Sequence, residues 1–251
     1  MFDLTGKLAL VTGSSRSIGK QIAIALATAG ADIIVHGRTL SREAEETANT
    51  IRTLGRNCDV LTANMHEIRE IEAMFAKIKE KYGKLDIMVN NAAVLSRVPF
   101  LELTAADWDF LMETNARGYF LATQHAAKLM LHAKSGRIIN ISSISQYDAA
   151  KSRAHYCASK GAIAMLTKCA ALELAEHGIT VNAVLPGSIH TDFNNDVLSD
   201  PTYYERVKNS IPLGRLGQPQ DIGGAVAFLA SEEAAFISGA EIVIDGAMTI
   251  C

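Results

Sequence analysis

The chain has 251 residues, 49% of them hydrophobic and 20% charged, with a net charge of −3. That is ordinary globular composition with ample apolar material for a large core, and its slight acidity offers no phosphate-neutralising surface, so no nucleic-acid partner is expected. No run of about 18 apolar residues occurs, so neither a spanning helix nor membrane association is expected, and the start MFDLTGKLALVTG does not read as a signal peptide.

Four cysteines, Cys58, Cys157, Cys169 and Cys251, show no C-x-x-C spacing. Reduced thiols in a cytoplasmic protein are the expectation. The seven histidines form no H-E-x-x-H or related pair, so no metal is expected.

In chain order, 7–12 (KLALVT) is expected as a strand. Ile18, Ile22 and Leu26 then recur every four residues along one helical face, and Gly30 ends that helix. A second strand follows at 32–35, a helix at 41–54, a strand at 59–63, a helix at 67–81 and a strand at 85–90. One helix over 105–131 precedes a strand at 137–141, and a helix beginning near Tyr156 precedes a strand at 180–184. A helix at 221–229 and a strand at 240–244 close the chain. Strands separated by helices imply right-handed crossovers and a parallel sheet covered on both faces. The expected fold class is α/β: a single doubly wound, Rossmann-like sheet. One domain spans 1–251, with a substrate lid around 190–215.

After the first strand comes T-G-S-S-R-S-I-G, Thr12 to Gly19. Strand, tight turn and helix N-terminus is the arrangement that receives a dinucleotide pyrophosphate. Gly13 suits the turn, and Gly19 lets the helix pack close to the sheet. Ser14 and Ser15 have hydroxyls for phosphate oxygens. The end of the second strand, about 20 residues on, discriminates NAD from NADP. There the sequence is V-H-G-R-T, with Arg38 and no acid. A carboxylate would bind a ribose 2′-hydroxyl, whereas Arg38, with Arg16 from the turn, would fork onto a 2′-phosphate. The alternative is two solvated surface arginines. NADP(H) is the expected cofactor.

Tyr156 and Lys160 are spaced i, i+4 and share a helix face. A free phenol, with a pKa near 10, is too weak an acid for proton exchange near neutrality. An ammonium one turn away and an oxidised nicotinamide both favour phenolate, which would make a tunable acid/base.

The glycine turn resembles the T-G-x-x-x-G-x-G fingerprint of the compact short-chain dehydrogenases and reductases, with Ser17 in place of the middle glycine. The resemblance extends over essentially the whole chain, including the ending S-G-A-E-I-V-I-D-G-A. It implies that Gly13, Ser14, Ser15, Arg16, Ser17, Ile18 and Gly19 form the pyrophosphate turn. Asn90-Asn91-Ala92-Ala93 resembles the family's N-N-A-G motif beside the adenosine ribose, with Ala93 replacing its glycine. Asn64 stands where relatives often carry an adenine-facing aspartate. Pro186-Gly187 would pass the nicotinamide, with Ile189 backbone and the Thr191 hydroxyl on its carboxamide. The resemblance further makes Ser143, thirteen residues before Tyr156, the substrate-positioning serine in preference to Ser142. It makes Asn115 the residue that holds a water linking Lys160 to solvent. Tyr156 would exchange the proton, and Lys160 would bind the nicotinamide ribose. Relatives are commonly tetramers, so a homotetramer or homodimer is expected.

The implied activity is hydride transfer between a carbonyl and a secondary alcohol. Polar and cationic residues near the chemistry, among them Arg97, Gln146, Lys151, Arg153 and His190, suit a small, hydroxylated or anionic substrate such as a sugar acid or polyol. A 3-oxoacyl thioester is the alternative, and a non-enzymatic NADP-binding sensor a further one. An enoyl reductase would space its tyrosine and lysine seven apart, where this chain has Ile163.

Overall fold

The computed structural model describes residues 2–192, 194 and 198–251. Seven strands form one sheet: β1 (Leu8–Val11), β2 (Asp32–Gly37), β3 (Cys58–Thr62), β4 (Ile87–Asn90), β5 (Gly136–Ile141), β6 (Ile179–Pro186) and β7 (Glu241–Ile244). Their order is β3-β2-β1-β4-β5-β6-β7, and every pairing is parallel.

Alternate side chains of each strand supply opposite faces, so each face carries its own core. On one, Ala9, Val11, Ile33, Val35 and Ile139 meet Ile22 and Leu26 of α1 (Ser17–Thr28), Ile51 of α2 (Arg42–Thr53) and Val226 of α8 (Gln220–Ala230). On the other, Leu10, Ile34, Met88 and Ile138 meet Met74, Phe75 and Ile78 of α3 (Ile68–Tyr82), and Ala126 and Met130 of α5 (Gly118–Met130). Each fully buried aliphatic side chain contributes roughly 1.5–3 kcal/mol.

Local signals agree with this framework. The Ser41 side chain accepts from the Ala44 amide and caps α2, and Gly83 ends α3 in the left-handed conformation. Two elements differ from the sequence expectation. The long helix over 105–131 is two helices, α4 (Ala105–Met112) and α5, joined by a π-turn at Glu113–Arg117. The segment at 190–215 contains a helix, α7 (Pro201–Asn209), capped by Asp200. Within that segment Phe193, Asn195, Asp196 and Val197 lie outside the described residues. The remaining long helix is α6 (Ala154–Leu174), and it starts two residues before Tyr156. Among the described residues no helix is long and apolar enough to cross a membrane.

Strand order reverses between β1 and β4, and a crevice opens beyond the strand ends at such a point.

Candidate active site

A cleft of about 980 Å³ lies there, lined by the glycine turn, Arg38, Asn64, Asn91 to Val94, Ser143, Tyr156, Lys160 and Pro186 to Ile189. The turn leaves no room for larger residues. Gly13 has φ +64, and a Cβ on Gly19 would lie 2.2 Å from the Gly13 carbonyl oxygen. Asn91 fastens the turn from β4: its Nδ2 donates to the carbonyls of Thr12 (2.8 Å) and Gly13 (3.1 Å). The Thr12 hydroxyl accepts from the amides of Asn91 and Ala92.

His36 fastens the same turn from β2. Its Nδ1 accepts from the Gly13 amide at 3.0 Å, so Nε2 carries the proton and donates to the Ala63 carbonyl at 3.0 Å. Only a neutral ring makes both bonds, and burial holds its pKa down to about 4. An unfolded histidine titrates near 6.5, so between these values the folded state binds fewer protons. This group's contribution is therefore complete above pH 6.5 and is lost as pH falls toward 4, by about 3 kcal/mol. Urea midpoints between pH 7 and 4.5 should fall accordingly, and His36→Asn should flatten the slope. An equal slope in the variant would remove His36 as its source.

Ser14 requires a correction. Its hydroxyl points inward, donating to the Val11 carbonyl (2.7 Å) and accepting from the His36 amide (3.0 Å). The residue is fully buried, so its hydroxyl braces the turn and does not face a phosphate. Ser15 and Ser17 line the cleft instead. Ser17 adopts φ +54, the left-handed region where glycine is favoured, and its buried Oγ has no protein partner. A strained residue with an unsatisfied hydroxyl fits a phosphate oxygen. Ser17→Gly should stabilise the free protein by about 1 kcal/mol and weaken NADPH binding several-fold. Denaturant midpoint and NADPH titration read the two effects, and tighter binding would reverse the assignment.

Arg16 lies beside Asp192 (3.4 Å) with both side chains exposed, a weak pair that a phosphate can replace. Arg38 is exposed at the cleft rim. The donor set of an orphaned hydroxyl, two rim guanidiniums and no acid at the end of β2 fits a dinucleotide bearing a 2′-phosphate. Asn64 lines the cleft, its Oδ1 accepting from the His66 amide. The Ile189 carbonyl accepts from Asn194 Nδ2 and the Thr191 hydroxyl donates to Asn194 Oδ1, so both positions already have intramolecular partners.

Behind the cleft wall, the π-turn carries Asn115, which is fully buried and does not line the cleft itself. Its Oδ1 accepts from the Val94 amide (2.8 Å), and its Nδ2 donates to the Val94 carbonyl (2.9 Å) and to Ser159 Oγ (3.3 Å). The side chain thus fastens the loop after β4 to α6, and it makes no direct bond to Lys160. Lys160 Nζ donates to the Ile141 carbonyl at 3.0 Å, an oxygen that also accepts from Tyr119. Burial drives Lys160 down to about 7. The ammonium lies 5.6 Å from the centroid of the Tyr156 ring.

Burial raises the Tyr156 phenol above the ordinary 10.0, outweighing the neighbouring Ser143 hydroxyl and the Arg153 charge, which pull it down. The expectation sets Lys160 and an oxidised nicotinamide together to favour phenolate; without the dinucleotide, burial keeps Tyr156 protonated. Ser142 also borders the cleft, but it is buried and its hydroxyl donates to Gln146 Oε1 (2.7 Å).

The sequence matches the family model described as Enoyl-(Acyl carrier protein) reductase over residues 13–249. It is 37% identical over 251 residues to a 3-oxoacyl-acyl-carrier-protein reductase of Synechocystis sp., covering 100% of both chains. The chain belongs to the short-chain dehydrogenase/reductase family. A 2-dehydro-3-deoxy-D-gluconate 5-dehydrogenase of Pseudoalteromonas atlantica is 37% identical over 245 residues, covering 98% of this chain and 96% of that one. A solved gluconate 5-dehydrogenase from Burkholderia cenocepacia, in complex with NADP and tartrate, superposes with a TM-score of 0.95 at 35% identity, covering 100% of this chain and 98% of that one.

This short-chain dehydrogenase/reductase is an oxidoreductase, and its fold brings Ser143, Tyr156 and Lys160 to one end of the cleft and the glycine turn to the other. Sequence reasoning passed over His36. The signal was present, because a strand buried on both faces reads as an apolar run and D-I-I-V-H-G interrupts one with an imidazole.

Proposed function

We propose that this reductase interconverts a carbonyl and a secondary alcohol on a small anionic hydroxy or keto acid, with NADP(H) as cofactor. The observation that carries the chemistry is that Ser143, Tyr156 and the buried Lys160 line one cleft, with Lys160 Nζ 5.6 Å from the centroid of the Tyr156 ring. When bound, the reduced dinucleotide supplies the hydride. Tyr156, held protonated, gives its proton to the substrate oxygen. Ser143 positions that oxygen and steadies its developing charge. Lys160 is oriented by the Ile141 carbonyl to hold the nicotinamide ribose. Asn115 sets the loop at Val94 and, with water, completes the path that returns the proton. Gly13, Ser15 to Gly19, Asn91, Ala92, Pro186, Gly187, Ile189 and Thr191 enclose the cofactor, with Arg38 and Arg16 on its 2′-phosphate and Asn64 by the adenine.

The substrate class is supported by the cations of the cleft. Arg97, Lys151, Arg153 and Arg206 line it against Asp148 and Asp192. Arg97 is presented by a loop tied on both sides. Ser96 Oγ bonds His155 Nε2 at 2.7 Å, and the Val98 amide donates to the Ser152 carbonyl at 2.9 Å. A carboxylate near these guanidiniums gains charge-assisted bonds, which a neutral ketone cannot. The segment at 190–215, with Tyr203 and Arg206 on α7, is proposed as the lid. A 3-oxoacyl thioester is the second reading, since curated relatives include 3-oxoacyl-acyl-carrier-protein reductases as well as a 2-dehydro-3-deoxy-D-gluconate 5-dehydrogenase. Four free thiols suit a cytoplasmic protein. Exposed apolar residues on α5 and α6, among them Phe120, Met165 and Leu172, suit a homotetramer or homodimer.

NADPH oxidation over a panel of ketoses, keto acids and acetoacetyl thioesters separates the readings. Turnover of keto acids is expected; turnover of thioesters alone would install the second reading. Arg38→Ala should lose on the order of tenfold in NADPH affinity while sparing NADH, the value of one charge-assisted phosphate contact. Unchanged discrimination would remove Arg38 from the 2′-phosphate.

A further inference from the structure

We propose that His36 is a positioning residue for the dinucleotide, one imidazole that locks the pyrophosphate turn and the adenine wall to each other. The proposal rests on the dinucleotide assignment of the cleft.

Each polar atom of His36 is engaged. Its amide donates to Ser14 Oγ (3.0 Å), and its carbonyl accepts from the Ser14 amide (2.9 Å). Its Nδ1 accepts from the Gly13 amide, and its Nε2 donates to the Ala63 carbonyl. Three of these bonds hold the glycine turn, and the fourth reaches the residue immediately before Asn64. The side chain is 1% exposed, so water cannot substitute for any of them. An aliphatic residue of similar size would leave the Gly13 amide and Ala63 carbonyl without a partner inside the protein.

The geometry also redistributes the work of the turn. The Gly13 amide, engaged by His36, is not available to a phosphate. The pyrophosphate must therefore meet the amides at the start of α1 and the hydroxyls of Ser15 and Ser17, whose placement follows from the Gly13 conformation at φ +64. With its polar atoms all engaged inside the protein, His36 thus acts on the cofactor through Gly13 on one side and through Ala63 and Asn64 on the other.

The two bonds can be removed separately. In His36→Asn the amide oxygen takes the place of Nδ1, keeping the Gly13 bond and losing Ala63. In His36→Gln the amide nitrogen takes the place of Nε2, keeping Ala63 and losing Gly13. His36→Leu loses both. NADPH and adenosine 2′,5′-bisphosphate are titrated by fluorescence and calorimetry against each variant, and the melting temperature of each free protein is recorded. Each single-bond variant should weaken NADPH on the order of tenfold, and His36→Leu on the order of a hundredfold. The bisphosphate should weaken in the same proportion, because the nicotinamide half is not involved. Variants that melt earlier yet bind both ligands as the wild type does would overturn the proposal, leaving a role in the core alone. Failure of all three to fold counts against it in the same way. A wild type that binds neither ligand would instead defeat the dinucleotide assignment.

Discussion

Tyr156→Phe should lower kcat on the order of a thousandfold, the worth of a positioned general acid, and leave NADPH affinity within a factor of a few. The change removes only the phenol oxygen, while the ring that packs near Lys160 stays in place. Ser143 then retains one bond to the substrate oxygen, so substrate still binds and hydride transfer stalls for want of a proton. Single-turnover mixing with NADPH separates chemistry from binding. A variant that keeps a tenth of wild-type kcat would show that another group delivers the proton.

Gly19→Ala should abolish NADPH binding at millimolar cofactor and reduce stability by about 1–3 kcal/mol, as overpacking a tight contact does. The added Cβ would lie 2.2 Å from the Gly13 carbonyl oxygen and 2.5 Å from Asn91 Nδ2. Both belong to the backbone clamp, so relief requires moving the turn itself. Gly224→Ala is the matched control. It sits in α8 with nothing within 4 Å of its added Cβ, and should raise stability by about 0.5–1 kcal/mol through helix propensity. Wild-type affinity in Gly19→Ala would show that the turn is looser than its contacts imply.

Much of this architecture was legible in the sequence because strand and helix periods differ so sharply. Ile18, Ile22 and Leu26 gave α1, and the β-branched runs gave all seven strands to within a few residues. The glycine turn, Tyr156 and Lys160 stand out because their spacing is local, Ser143 because it resembles the family's serine position, and the structure brings all of them to one cleft. What escaped depended on contacts across the fold. Ser14 reads like Ser15 in sequence, and only the approach of β2 turns its hydroxyl inward. His36 reads as a strand residue until Gly13 and Ala63 close on its two nitrogens. The burial of the phenol escaped for a related reason. The i, i+4 spacing registers the lysine, whereas the desolvation that raises the phenol's pKa in the free protein comes from surrounding elements. The helix α7 was signalled by Asp200-Pro201, a cap followed by proline at the first turn, within a stretch taken for loop.

The π-turn at Glu113–Arg117 has a consequence for chain length. Each residue of a regular helix advances the direction of its side chain by about 100°. One extra residue accommodated in the bulge therefore rotates all of α5 by that angle relative to α4. Tyr119 reaches the Ile141 carbonyl, and Gly118 faces the Met65 carbonyl with no room for a Cβ, only with that rotation in place. Between Thr104 and Met130 the number of residues is thus as strictly specified as their identity. A single deletion there would let the helix wind on without interruption, with its phenol facing the wrong way.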